Sequence, residues 1–458
     1  MMPLRFAIDR VFRVVCCVLL GVATTVLLLG CQQYASTVAQ ASGPVAAHAP
    51  SDTIRWATYS RQRMADRRAG VERMLRDDSN GFWLAAATHA RWIDDWSMIR
   101  LLCEKAEASG DADARPWLIR SWAMRSRLVA DEERPERRAI EAITDRAAHE
   151  TLREVFFDDT HAGDLPTRVA AWTVLRRVEE DIALRTQLAE SSSADPLIAA
   201  LRIASEALDV LPRDRVEIAH LMYLDATLDT QSWRTLAAWR QSQRQHSSTD
   251  IALRHVPLIL RRDRQRDAWS REQWVARIES RLTGRRHASR GEGANSFSVI
   301  VSRPDRFADH VDTLGLADLM LISHLLDAFD DSEICAAAFQ QAESDRRDVT
   351  SELGGALTWN AQSRLALTAF APYIRRHDEM YIASSACMRA AYDGLAHYHF
   401  HAQKYHNAEW AGPGQGDLKF VRTQHVTGVV LTYLDERTLN VDAYFPCGAI
   451  IDLGCLTR

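Results

Sequence analysis

The stretch GLAHYHFHAQKYHNAEWAGPGQGDLKF, Gly394 to Phe420, sets His397, His399 and His401 at every second position and then delivers Asp417 after a glycine-rich turn. In an extended strand, residues i, i+2 and i+4 share one face. The stretch therefore predicts a strand with three imidazoles on one side, which is either a metal site or a polar strand face. The choice depends on what the rest of the chain can bring to it.

Neutral imidazole and carboxylate are donors that zinc accepts, and a catalytic zinc keeps three protein ligands and one open position. Two histidines and one aspartate satisfy that set. His399 and His401 lie nearest the glycine turn, and Asp417 stands near the start of a predicted helix, GDLKFVRTQ. His397 with His399 is the alternative pair. A base that takes a proton from water has to lie outside the ligands. Glu352 in TSELGG, ahead of two glycines that permit close backbone approach, is the candidate.

Glu followed by Gly, a strand carrying His-x-His, and an Asp opening a helix resembles the JAMM (JAB/MPN-type) zinc metalloprotease family, over roughly residues 297–453. The resemblance implies a mixed α/β, cytidine-deaminase-like sandwich. It also implies zinc held by His399, His401 and Asp417, with Glu352 as general base. Where the family has a serine three residues before the aspartate, this chain has Gly414, and where a proline commonly follows the second histidine it has Ala402. The gap from His401 to Asp417 is also longer than the family's. A backbone N–H of the turn containing Gly412, Gly414 and Gly416 is the candidate oxyanion donor in place of the serine.

Outward from this segment, VTGVVLTYLDERTLNVDAYF reads as a hairpin turning at DER, and GAIIDLG as a further strand. GLADLMLISHLLDAF, SEICAAAFQQAESD and YIASSACMRAAYDG read as helices, the last closed by Gly394 at its C-terminal cap, and FSVIV as a strand. GRRHASRGEGANS, residues 284–296, loses hydrophobicity and is read as a linker. Before it, residues 53–283 carry apolar positions at three- and four-residue intervals, punctuated by Pro116, Pro166, SSSADP and Pro212. The fold class expected is thus α+β: an all-helical N-terminal domain, then a mixed α/β domain over 297–458. Eleven of the 13 tryptophans fall in the helical part at helical spacing, which points to core packing.

At the N-terminus, Arg5, Arg10 and Arg13 precede the apolar run VVCCVLLGVATTVLLLG, an export signal. Leu28-Leu29-Gly30-Cys31 resembles the lipobox of bacterial lipoproteins, which implies lipidation at Cys31, a membrane anchor over 1–31 and, with Gln32 next, outer-membrane sorting on the periplasmic side. An uncleaved anchor helix is the alternative, and 32–52 is a flexible tether in either case. Cys447 and Cys455 are candidates for a disulfide across CGAIIDLGC.

The 458 residues carry a net charge of -5 with basic and acidic residues interspersed, which gives no face for nucleic acid. G-x-S-x-G, P-loop and dinucleotide fingerprints are absent. His406, Asp393 and His425 are expected to be structural or to accept from a metal-bound imidazole, and His324 and His377 to be structural. The function expected is a zinc-dependent metallopeptidase or isopeptidase acting on a peptide or protein of the cell envelope. The alternatives are a noncatalytic zinc scaffold of the same fold and an envelope lipoprotein whose helical domain binds a protein partner.

Overall fold

The computed structural model describes residues 64–93, 95–124, 129–158, 164–243, 251–262, 266, 269–288, 305–375 and 380–458. The export signal, Cys31, the tether, FSVIV and His377 lie outside them. No helix among the described residues is long and apolar enough to cross a membrane.

Up to Leu282 the described chain is helical, with thirteen α-helices from α1 (Met64–Asp77) to α13 (Arg271–Leu282), among them α10 (Arg215–Thr227). The prolines mark helix starts: Pro116, Pro166 and Pro196 each sit in a first turn, where the missing N–H is no loss. Aspartates cap these and later helices; Asp195 accepts the N–H groups of Leu197 and Ile198. Trp83, Trp117, Trp122 and Trp172 are fully buried, with Trp83 and Trp117 at a ring separation of 5.7 Å, so these tryptophans are core.

After a short helix α14 (Phe307–His310), helices α15 (Leu316–Phe329) and α16 (Ser332–Arg347) lead into the sheet. Its strands are β1 (Gly354–Trp359), β2 (Leu365–Phe370), β3 (Ala396–His401), β4 (Gly428–Asp435), β5 (Thr438–Tyr444) and β6 (Ile450–Thr457). Helix α17 (Ser385–Asp393) precedes β3 and α18 (Gln415–Gln424) follows it. The strand order is β2-β1-β3-β4-β5-β6, with β3 and β4 parallel and every other pair antiparallel. The expected hairpin is β4–β5 and the further strand is β6.

The two faces of β3 meet different layers. Ala396, Tyr398 and Phe400 join the main hydrophobic core, which is continuous from Val71 in α1 to Leu456 in β6. The histidine face meets a smaller core of Leu418, Val421, Val426, Val430, Tyr444 and Ile450, flanked by Met388, Tyr392 and Phe420 of α17 and α18. Both faces are therefore covered, and the strand is buried nearly throughout.

Gly394 caps the C-terminal end of α17 as expected, with φ -101° and ψ -153°, and the chain runs on into β3, where the Leu395 N–H donates to the Leu357 carbonyl at 2.9 Å. The described start of the expected linker is laid along β6: the Cys455 N–H donates to the Arg286 carbonyl at 2.8 Å and Arg285 donates to the Leu453 carbonyl at 3.3 Å. Cys447 and Cys455 are free thiols, so they form no disulfide here.

Candidate metal centre

The site is built on a close approach of β1 to β3. A Cβ at Gly354 would lie 2.5 Å from the Tyr398 carbonyl oxygen, so only glycine lets the strands meet there. Just before it, the Leu353 carbonyl accepts the Phe400 N–H at 3.1 Å, while the Leu353 N–H donates to the Asp345 carboxylate of α16. Glu352 is thereby fixed beside the middle of β3. At the other side of β3 a Cβ on Gly428 would meet the Tyr444 ring at 2.1 Å; its absence lets Tyr444 lie across β4 with its hydroxyl 3.4 Å from His399 Nδ1.

The ligand atoms converge. His399 Nε2 and His401 Nε2 are 3.3 Å apart. Two nitrogens each about 2.0–2.1 Å from a tetrahedral zinc are separated by about 3.3 Å. Asp417 Oδ1 is 3.5 Å from His399 Nε2, and its Oδ2 is 4.0 Å from His401 Nε2. Glu352 Oε1 is 4.0 Å from His401 Nε2, and Glu352, His399 and His401 offer ligand atoms all within 4.8 Å of one another. Glu352 and the two imidazoles thus meet on one spot, and Asp417 stands beside both imidazoles.

Hydrogen bonds behind these groups aim them. His401 Nδ1 donates to the Trp410 carbonyl at 2.8 Å, a partner that can only accept, so the Nε2 lone pair faces the site. Asp417 sits in the first turn of α18, and its Oδ2 accepts the Gly414 N–H at 2.7 Å. That contact commits the Gly414 amide to orienting the carboxylate, so it is not a free oxyanion donor. Gly412 takes φ +88°, a turn position that suits glycine. Glu352 Oε1 accepts from Gln403 Nε2 at 3.1 Å, and Asn407 Nδ2 donates to Gln403 Oε1 and to the His401 carbonyl, each at 3.0 Å.

The electrostatics follow. Burial alone would depress the His399 pKa, but the adjoining Asp417 carboxylate reverses this and lifts it to about 9. Asp417 is held well below the usual carboxylate range, since the His399 and His401 imidazoles outweigh the burial that opposes them. Burial raises the pKa of Glu352, and the imidazoles offset that only in part. His397 is pushed down to about 3 by complete burial, and neither of its nitrogens has a hydrogen-bond partner.

His397 is set apart by this geometry. Its ring lies 4.9 Å from Phe420 and 5.4 Å from Tyr381, and its separation from His399 is 6.2 Å against 5.0 Å between His399 and His401. The His399/His401 register is the one whose nitrogens converge. Gln403, Asn407, Trp410 and Tyr444 were not singled out in the sequence. The first three stand in the segment quoted above, where nothing in their spacing marks them, and Tyr444 reaches His399 from 45 residues away. Asp393 and His425 lie away from the ligands, in contact with α10. A second gathering of acids, Asp305, Asp442 and Asp452, has internal partners: Asn440 donates to Asp442 at 2.7 Å, and the Gly454 N–H to Asp452 at 2.8 Å.

The donor set of two imidazoles and a carboxylate, with a second carboxylate beside it, suits zinc. No family model, curated protein or solved structure matches this chain.

Proposed function

We propose that the chain is a zinc-dependent metallopeptidase or isopeptidase of the JAMM type. His399, His401 and Asp417 would hold the ion and Glu352 would act as general base. The observation that carries this reading is the 3.3 Å approach of two aimed Nε2 atoms, with Asp417 and Glu352 within 3.5–4.0 Å of them. Zinc held there supplies Lewis acidity, which brings the pKa of water down to about 7. Glu352 accepts the proton of the attacking water on its carboxylate and returns it to the leaving amine. Its raised pKa suits a group that must both take and give a proton near neutrality. Gln403 keeps the carboxylate turned toward the imidazoles by donating to Oε1. The peptide carbonyl would have to find its oxyanion donor elsewhere than the Gly414 amide.

The lipobox-like Leu28-Leu29-Gly30-Cys31 supports a lipid-tethered protein of the cell envelope, with an envelope peptide or protein as substrate. A second reading is favoured by the short distance from Glu352 to His401: with Glu352 as a fourth ligand the site is closed, and the protein is a noncatalytic zinc scaffold. Glu352→Gln in the full chain separates the two. A general base is dispensable for zinc content but its loss lowers turnover about 10²–10⁴-fold. Hydrolysis that survives the substitution sinks the mechanism, and a loss of zinc selects the closed site.

A further inference from the structure

Helix α18 carries Asp417 in its first turn and ends at His425, and that end is gripped by the helical half of the molecule. His425 Nε2 is 2.8 Å from Asp214 Oδ2, and His425 Nδ1 is 3.4 Å from Glu217 Oε1. His425 and Glu217 are almost fully buried. Asp214 is the N-cap of α10, where its other oxygen accepts the N–H groups of Val216 and Glu217 at 2.9 and 3.3 Å. His425 itself takes φ +53°, a left-handed conformation that residues with a Cβ rarely adopt and that glycine or asparagine would fill more easily. The two carboxylates are what this position gains from a histidine.

The grip continues along α10 in steps of three residues, the spacing of a packing ridge. His220 stacks on Tyr392 at a ring distance of 4.2 Å, Tyr392 donates to the Gln424 carbonyl at 3.3 Å, and Tyr223 donates to the Asp393 carboxylate. One helix of the helical half thus meets the C-terminal ends of both α17 and α18, the two helices that cover the histidine face of β3. At its other end α18 is entered through the turn around Gly412, and its apolar hold is the small core that includes Leu418 and Val421.

We infer that His425, held by Asp214 and Glu217, is a positioning residue for Asp417, so that the helical half sets the geometry of the metal centre in the sheet half. The inference rests on the zinc reading above. A ten-residue helix is about 15 Å long, and a tilt at its gripped end moves the carboxylate at its free end. Metal–ligand distances hold to within about 0.2 Å. The helical half is then part of the metal-binding unit.

The test uses the full chain and measures zinc affinity by chelator competition, the ligand-field spectrum of the cobalt(II)-substituted protein, and the melting temperature without metal. His425→Asn accepts the left-handed backbone but loses both carboxylate contacts, and Asp214→Asn keeps the α10 cap while removing the charge. Both variants are expected to bind zinc about tenfold more weakly and to give an altered cobalt spectrum, with Asp417→Ala as the fully impaired reference. A lower melting temperature with zinc affinity and spectrum as in wild type assigns His425 a packing role and overturns the inference. A wild type that takes up no zinc overturns the metal reading and this inference with it. A wild type that binds zinc no better than both variants overturns this inference alone.

Discussion

Two buried histidine clusters in this molecule look alike in composition and differ in kind. In one, His255 accepts the Ala252 N–H at Nδ1 at 3.1 Å and meets Asp318 through Nε2 at 2.9 Å, while Arg254 reaches the same carboxylate at 2.9 Å. The Asp318 carboxylate there is matched to donors from both residues, and the cluster pins α15 to the turn at Leu253–His255. In the other, His399 and His401 aim the same nitrogen at each other across 3.3 Å, with two carboxylates close by. His401 is locked as a lone-pair donor toward that point by the Trp410 carbonyl. The proton on His399 relieves these facing lone pairs and carboxylates, and a cation can take its place, whereas the Asp318 carboxylate is already matched to its donors.

The comparison is broken most directly by substituting both clusters. His399→Ala with His401→Ala should abolish zinc binding, and chelator should then leave the melting temperature unchanged while lowering that of wild type. His255→Ala should leave zinc stoichiometry intact and instead cost about 3 kcal/mol in urea unfolding, since Asp318 loses one of its two side-chain partners in a buried site. If His255→Ala also empties the metal site, the two clusters are not the separate kinds described.

A smaller effect sharpens the contrast through pH. His399, with its pKa raised to about 9 by Asp417, carries a proton in the metal-free protein below that value. Zinc must displace this proton, so affinity weakens as pH falls, by about tenfold per unit between pH 6 and 8 if one proton is released, and levels off above about 9. Calorimetry in buffers of different ionisation enthalpy counts the protons. Release of none would mean that His399 is neutral before binding.

The smallest effect concerns the third imidazole. His397→Leu removes two buried nitrogens that have no partner, so it should be neutral or stabilising by about 1 kcal/mol, with zinc content unchanged. Loss of zinc in this variant would move the ligand pair to His397 and His399.

The histidine strand was legible because its period of two is a local signal, and Asp417 because a glycine turn before an amphipathic helix is one too. Glu352 was legible through its glycines, although the β1–β2 hairpin that follows was not. Gly354 and Gly355 carry no strand propensity, and their purpose is the approach to Tyr398 and Thr368, which belong to other strands. Gln403 and Asn407 stayed hidden because their importance lies in bonds to one another and to Glu352, not in spacing. The tie between Asp214 and His425 spans 211 residues and leaves no periodic trace in either segment.

The parallel pairing of β3 with β4, His399 opposite Val430, has a consequence for the order of assembly. Hairpins such as β1–β2 and β4–β5 close over short loops, but β3 and β4 can pair only after the chain has crossed through α18. Contacts of that separation form late because the closure entropy precedes any gain from the contact. Glu352, the two imidazoles, Asp417 and Tyr444 come together only once that pairing and the grip on α18 are both in place. An ion at the candidate site would therefore have to wait for that pairing before it found all of its donors.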